Sequence, residues 1–202
     1  MKFLLATKEY MTQIFDAEGV VHPATVLAVA PNTVTQVKTV EKDGYAAVQL
    51  GCGTKRASLV HKAQQPKGMH RYYREYRPKA GVVSCDVGAV VSVADAFAVG
   101  DSVSVSGISK AKGFQGVVKR HGFSGGPRTH GQKHNERAPG SIGGGLRARV
   151  PKGMRMAGRA GGRTATVKNL KVVAVDIERN LLYIGGAVPG RPGTLIEVRG
   201  AE

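Results

Sequence analysis

Cysteine is scarce in this sequence, and its scarcity argues against both a disulfide framework and a cysteine metal site. Only Cys52 and Cys85 occur among 202 residues, and neither has a partner at C-x-x-C spacing. A disulfide framework is therefore not predicted, and a reducing compartment fits this composition. With 42% hydrophobic residues, the chain is long enough to bury a core without disulfides or metal. We expect no metal site.

Long apolar runs are also missing. No stretch is long enough to span a bilayer, and no basic amphipathic helix is evident. The first six residues resemble the start of a signal peptide, but Lys8 and Glu9 end the apolar stretch before a full hydrophobic region forms. We expect no membrane partner, and we expect the protein to stay in the compartment where it is made.

Motifs that bind nucleotides are absent too, since there is no Walker loop and no G-x-G-x-x-G. We predict no cofactor and no small-molecule substrate. Residues 122–126 match G-x-S-x-G, which makes an esterase using Ser124 the enzymatic alternative. That motif needs a buried strand before it and a helix after it, whereas Arg120 and His121 precede it and a proline follows. We therefore predict that the chain is not an enzyme.

Positive charge is abundant and concentrated in one segment. The net charge is +16 and the isoelectric point is near 10.2, so a polyanion is the expected partner, and nucleic acid is the first candidate. Residues 107–163 hold thirteen Lys and Arg against the single acid Glu136, a net charge of +12, which leaves +4 for the rest of the chain. The charge that binds the partner is therefore local.

The same segment holds fifteen of the 28 glycines and few long apolar residues. Such a stretch cannot build its own core, and we expect it to be loose until an anionic partner orders it. A flexible basic linker or tail is the alternative interpretation. Interspersed apolar residues such as Phe114, Phe123 and Ile142 argue against a mere spacer. We predict a basic, nucleic-acid-binding extension over residues 107–163.

The flanking segments alternate like antiparallel strands separated by turns, which is typical of a barrel or a sandwich. We predict one mainly β domain from residues 1–106 and 164–202. The strand candidates are residues 20–30, 33–38, 45–50, 89–93, 102–105, 170–175, 181–184 and 194–198. Residues 59–80 lack this alternation, so we predict an irregular or partly helical excursion there.

Candidate RNA contacts lie in the basic segment and in this excursion. Lysine and arginine suit phosphate, and basic residues interleaved with aromatics can also stack on bases. His130 and His134 have the spacing of zinc ligands on a helix, but the surrounding glycines disfavour a helix, so contacts to phosphate or base edges are the simpler interpretation. In the excursion, a packed tyrosine cluster with solvated arginines is an equally good alternative. The predicted contacts are Lys110, Lys112, Lys119, Arg120, His121, Arg128, His130, Lys133, His134, Arg137, Arg147, Arg149, Lys152, Arg155, Arg159 and Arg163, with Arg71, Tyr72, Tyr73 and Arg74 from the excursion.

Residues 107–123 read GISKAKGFQGVVKRHGF, and RAPGSIG at 137–143 and KGMRMAG at 152–158 follow. These blocks resemble the signature of the family of ribosomal protein three of the large ribosomal subunit, and the first of them is the most specific. Further blocks, VTQVK at 34–38 and GAVPG at 186–190, carry the likeness towards both ends. The resemblance covers essentially the whole chain.

This resemblance implies a six-stranded antiparallel β-barrel of the translation-protein type. It also implies a long Gly/Arg-rich inserted loop that reaches towards the peptidyl-transferase region, and a role early in subunit assembly. The implied partners are large-subunit ribosomal RNA and neighbouring ribosomal proteins. The implied location is the ribosome, in the cytoplasm or in an organellar matrix. A free-standing basic nucleic-acid chaperone is the alternative binding function.

Overall fold

The computed structural model describes residues 1–78, 85–145 and 148–200. The chain divides into two compact units. Unit 1 comprises Met1–Ile108 and Thr164–Glu202, and unit 2 comprises Ser109–Arg163. No helix in the described residues is long and apolar enough to cross a bilayer.

Strands dominate the described structure, which confirms the mainly β prediction. In chain order they are β1 (Phe3–Phe15), β2 (Val21–Ala28), β3 (Asn32–Lys38), β4 (Ala47–Thr54), β5 (His70–Tyr76), β6 (Val90–Val91), β7 (Ser102–Ile108), β8 (Phe114–Gln115), β9 (Gly158–Arg159), β10 (Thr164–Asp176), β11 (Leu181–Gly185) and β12 (Leu195–Gly200). The helices are short: α1 (Val40–Asp43), α2 (Val93–Ala96) and α3 (Val117–His121), with 3-10 turns at Ala57–Leu59 and Lys62–Lys67.

Six antiparallel strands of unit 1 form one sheet in the order β1-β12-β7-β10-β11-β2, and β2 pairs again with β1 to close the ring. The closure depends on the length of β1, which pairs with β12 over its first half and with β2 over its second half. Thr7 is the residue where the two pairings meet, opposite Leu195 on one side and Ala28 on the other. Alternate residues point inwards, and Leu4, Leu27 and their neighbours fill the interior.

The other four strands of unit 1 form a second sheet in the order β5-β4-β3-β6. Three predicted strands, at residues 33–38, 45–50 and 89–93, lie in this second sheet. The prediction that all the flanking segments form one barrel is therefore wrong for these three strands. The second sheet has its own core, which includes Leu50 and Tyr76.

Strand β1 belongs to both cores. Leu4 and Ala6 face the ring interior, while Phe3 and Leu5 face the second core, and all four are almost fully buried. Because both faces of the strand are buried here, apolar residues occupy successive positions instead of every second one. The sequence therefore shows a short apolar run rather than an alternation of apolar and polar residues. The strand was therefore missing from the predicted set.

The predicted excursion at 59–80 is partly wrong. Its first half does hold 3-10 turns, but residues 70–76 form β5, which pairs with β4 over its whole length. The strand escapes sequence analysis because its exposed arginines, half-buried Tyr72 and Tyr73 and buried Tyr76 do not follow an apolar/polar alternation. Residues 79–84 lie outside the described residues.

Asn32 joins the two sheets. Its side chain is fully buried, its Oδ1 accepts from the Leu5 backbone N–H at 3.0 Å, and its Nδ2 donates to the Leu5 carbonyl at 3.0 Å and to the Ala30 carbonyl at 2.9 Å. The amide thus gives β1 the partner that β2, which pairs only from Thr7 onwards, does not provide. Buried backbone groups require such partners.

We expect Asn32→Ala to destabilise unit 1 by about 2–4 kcal/mol, because each buried polar group left without a partner costs about 1–3 kcal/mol. Thermal and urea denaturation of the full chain measure this loss. Thr39→Ala is the matched control, since Thr39 is exposed and its side chain makes no capping hydrogen bond. Equal stability of the two variants would contradict the structural role of Asn32.

Candidate nucleic-acid interface

Unit 2 begins and ends in a paired stem. The Ser109 N–H donates to the Arg163 carbonyl at 2.9 Å, the Lys112 N–H donates to Ala160 at 2.9 Å, and β8 pairs with β9. The stem requires glycine at position 161, where φ is +69° and a Cβ would clash with the Lys110 carbonyl oxygen. It places two exposed lysines and two exposed arginines, Lys110, Lys112, Arg159 and Arg163, along one ribbon.

Helix α3 packs by Val117, which is buried, and ends at Gly122 in the left-handed conformation. Its last turn carries Lys119, Arg120 and His121, and cations are favourable at this end of a helix. Lys119 is exposed and accessible to a partner.

Arg120 and His121 instead bind within the protein. The Arg120 guanidinium donates to the Met156 carbonyl, and His121 Nε2 lies 3.0 Å from the same oxygen. Both side chains are half-buried. They tie the segment before β9 to α3, so these two predicted RNA contacts already have a structural partner.

A loop between residues 125 and 136 surrounds the lone acid of the segment. The Gly126 N–H donates to the Glu136 carbonyl at 3.0 Å, and the Glu136 carboxylate pairs with Arg128 at 2.6 Å. Gly125 cannot be replaced freely, since a Cβ there would clash with the Glu136 carbonyl oxygen. The only negative charge of unit 2 therefore has a cationic partner.

The remaining cations of unit 2 form an open positive surface. All the predicted lysines and arginines that the structure describes between 109 and 163 are exposed, apart from Arg120. Arg147 lies outside the described residues. His130 and His134 are exposed in left-handed backbone conformations, with φ of 60° and 61°. The exposed cations are therefore accessible to a partner, and their contacts with RNA stay a prediction.

The glycines of unit 2 leave its backbone accessible. Between α3 and β9 the described residues contain no helix or strand, and at Gly131, Gly140 and Gly153 there is open space where a Cβ would stand. A backbone without side chains lets a phosphate or sugar approach closely and use the amide N–H groups.

The tyrosines of β5 are divided between core and surface. Tyr76 is buried and stacks on Phe3 with ring centroids 5.0 Å apart, so the packed alternative holds for it. The Tyr73 hydroxyl donates to the Gly68 carbonyl and accepts from the His70 N–H. Tyr72 is half-buried against the second core, with the Arg71 guanidinium 5.2 Å above its ring.

The arginines of β5 belong to a wider basic stretch that sequence analysis missed. Residues 55–77 contain seven Lys and Arg and only one acid, and a charge count over a shorter window would have found them. Glu75 pairs with Lys38 at 2.6 Å, and this partner holds the pKa of the Glu75 carboxyl below its usual value. Arg74 is exposed and pairs with Glu197 at 3.0 Å. The cations of this stretch that are not among the predicted RNA contacts are Lys55, Arg56, Lys62, Lys67 and Arg77.

The G-x-S-x-G match has no catalytic geometry. Ser124 follows α3 and its glycine cap rather than a buried strand. The pocket around it is lined by residues 122–126, Asn135 and residues 138–140, a set without a histidine or a carboxylate. Nothing in this pocket could act as the general base that a serine nucleophile needs.

The cysteines and histidines form no metal site in the part of the chain that the structure describes. Cys52 and Cys85 are both free thiols. Burial raises the pKa of the Cys52 thiol to about 11, so it is unreactive at neutral pH.

Comparison with known proteins settles the family. A family model described as Ribosomal protein L3 matches residues 82–181, a range that includes all of unit 2. The large ribosomal subunit protein uL3 of Bacillus thuringiensis is 48% identical over 209 residues, covering 99% of this chain and 97% of the relative. The chain belongs to the ribosomal protein L3 family. The uL3 proteins of Bacillus cytotoxicus and Bacillus anthracis are 47% and 48% identical with the same coverage.

Family membership confirms the resemblance seen in the sequence and decides the question of catalysis. L3 proteins are structural ribosomal proteins, so this chain is not an enzyme. The L3 match centres on the basic unit and on β7 and β10, the two strands that carry it.

We expect Gly161→Ala to open the stem of unit 2, because alanine in the left-handed region costs roughly 1–2 kcal/mol before the clash with the Lys110 carbonyl is added. Trypsin should then cleave at Lys110, Lys112 and Arg159 about tenfold faster, and the Lys112 and Ala160 amides should exchange faster with deuterium. Gly143→Ala is the control, since a Cβ at position 143 meets nothing within 4 Å. Identical cleavage rates in both variants would rule out this stem.

Proposed function

We propose that this L3 family member is a structural constituent of the large ribosomal subunit that binds large-subunit ribosomal RNA mainly through unit 2. The observation that carries the proposal is electrostatic. The described cations of unit 2 other than Arg120 are exposed, and its single acid, Glu136, is already paired with Arg128. A surface of one sign and this density suits the phosphate backbone of RNA.

Two kinds of contact follow from the residues present. Exposed lysines and arginines neutralise phosphates, which lets RNA helices approach one another. Glycine-rich backbone between α3 and β9 admits sugar and phosphate groups that bulky side chains would exclude. Arg120 and His121 play a different part in this proposal, since they hold the segment in shape through the Met156 carbonyl.

The basic stretch of unit 1 supplies a secondary contact. Arg71 and Arg74 are exposed on β5, and the half-buried Tyr72 ring lies beside Arg71. In the proposed complex the arginines contact phosphate, while Tyr73 and Tyr76 support the sheet. Base stacking is restricted to Tyr72, because the Tyr76 ring is buried and the Tyr73 hydroxyl is held by hydrogen bonds.

The finer role follows the family. We infer that unit 2 organises RNA near the peptidyl-transferase centre and that the chain joins the subunit early in assembly. Peptide transfer itself is left to the RNA. The proposed partners are ribosomal RNA and neighbouring large-subunit proteins, and the proposed location is the ribosome in the cytoplasm, in keeping with bacterial relatives.

We expect binding to large-subunit RNA to weaken steeply with salt. Replacing Arg149, Lys152, Arg155 and Arg159 together by Gln should lower the slope of log K against log salt by roughly 0.7–0.9 for each phosphate that is no longer neutralised. Filter binding or fluorescence anisotropy over a salt series measures this slope. Arg179→Gln, an exposed arginine of unit 1, is the control.

Two outcomes would count against the proposal. An unchanged salt slope would show that these side chains do not meet phosphate. Equal affinity for unrelated RNAs, without stoichiometric recovery of the chain in large subunits, would favour a free-standing RNA chaperone instead.

Removal of unit 2 should leave unit 1 folded. Ile108 and Thr164 are opposite one another at the end of the β7–β10 pair, so an Asn-Gly turn can replace residues 109–163 and close a hairpin. We expect this variant to keep a cooperative thermal transition, because the buried residues of both described cores belong to unit 1, and to lose most of its RNA affinity. Calorimetry and RNA binding measure the two effects, and loss of the cooperative transition would contradict the division into two units.

A further inference from the structure

One face of the six-stranded ring has the opposite charge character from the rest of the chain. The second half of β1, the turn after it and β2 span residues 9–28, which contain no lysine and no arginine. The end of β10, the following turn and β11 span residues 172–185, where Arg179 is the only cation. The acids in these two stretches are Glu9, Asp16, Glu18, Asp176 and Glu178, which gives a net charge of −4 in a chain of +16.

The same stretches carry exposed apolar side chains. Tyr10 is 58% exposed, Phe15 is 67% exposed and Ile177 is 64% exposed, and Met11, Val20 and Val21 are exposed as well. Clusters of this kind on a folded protein mark surfaces that bind a partner.

A groove lies among these residues. Tyr10, Thr12 and Ile14 of β1 form one side, and Ala174, Asp176 and Tyr183 of β10 and β11 form the other, around a volume of about 430 Å³. Thr12 is opposite Ala24, and Tyr183 is opposite Val26. Since cross-strand partners share a face, the groove runs over the outer face of β2.

The chemistry of this groove selects protein over RNA. Its lining is aromatic, aliphatic or uncharged except for Asp176, and the acids around it repel phosphate. The described lining has no lysine or arginine that could bind an anion. A polypeptide bearing both apolar side chains and cations complements both properties.

We propose that this groove binds a basic segment of a neighbouring large-subunit protein, which places an aliphatic or aromatic side chain between Tyr10 and Tyr183 and lysine or arginine near Asp176 and Glu178. The inference rests on the proposed function, because it takes the neighbours from the ribosome. It divides the surface of the chain by charge: the cationic parts contact RNA, and this acidic, apolar face contacts protein.

Site-specific photo-crosslinking in assembled large subunits tests the proposal. Tyr10→p-benzoylphenylalanine is a conservative change, since the new side chain is also an exposed aromatic. The matched control is Phe114→p-benzoylphenylalanine, at an aromatic of unit 2 that is 77% exposed. We expect position 10 to yield a protein adduct that survives ribonuclease and maps by mass spectrometry to a peptide rich in Lys or Arg. Position 114 should yield an adduct to ribosomal RNA.

Charge reversal tests the electrostatic part. Asp176→Lys with Glu178→Lys should lower the protein adduct at position 10 by about tenfold, whereas Glu41→Lys, at an exposed acid on α1, should leave it unchanged. Thermal denaturation checks that each variant folds before the adducts are compared.

Each other outcome has a distinct meaning. An RNA adduct at position 10, a dimer of this chain, or no adduct there while position 114 labels RNA would overturn the proposed groove partner and leave RNA binding by unit 2 intact. Failure of the unmodified chain to enter large subunits, or absence of an RNA adduct at position 114, would instead contradict the proposed function.

Discussion

The antiparallel pairing of β7 with β10 is the constraint on which both units depend. It closes the six-stranded ring on one side, and at its end Ile108 and Thr164 bring together the two ends of the basic segment. Because those ends meet within a strand pair, unit 1 can carry a long intervening segment whose closure costs entropy that grows only slowly with length. Within unit 2, the stem is held by its own pairing, in which the Ser109 N–H donates to the Arg163 carbonyl.

The charge of the chain follows the division into two units, since most of the excess positive charge lies in unit 2. Unit 2 holds cations with hardly any acid, so its self-repulsion opposes compaction, and glycine adds to the entropy cost of ordering. Contacts within the unit hold it together: the stem, the Arg128–Glu136 pair, and the Met156 carbonyl bound by Arg120 and His121. In the proposed complex, RNA phosphate supplies the missing counter-charge.

Unit 1, in contrast to unit 2, is stabilised by buried apolar side chains. Its stability comes from two apolar cores that share β1, and from Asn32, which satisfies the backbone of Leu5 where β2 does not reach it. Because these cores are packed within unit 1, the outer faces of its sheets are available for contacts. Two stretches of unit 1, residues 9–28 and 172–185, contain Arg179 as their only lysine or arginine, and the groove between them has none in its described lining, which is the basis for assigning it a protein partner.

Composition and local pattern were enough to predict the +12 segment, the strands with clear alternation such as β3 and β7, and the blocks that identify the family. Three features emerged only from the three-dimensional arrangement: the double burial of β1, the pairing of residues 70–76 as a strand, and the burial of Tyr76 against Phe3. A fourth is that Arg120 and His121 bind a carbonyl 36 and 35 residues away. The reason is physical: periodicity reports a strand with one buried face, whereas burial on two faces and partners distant in the chain leave no periodic trace in the sequence.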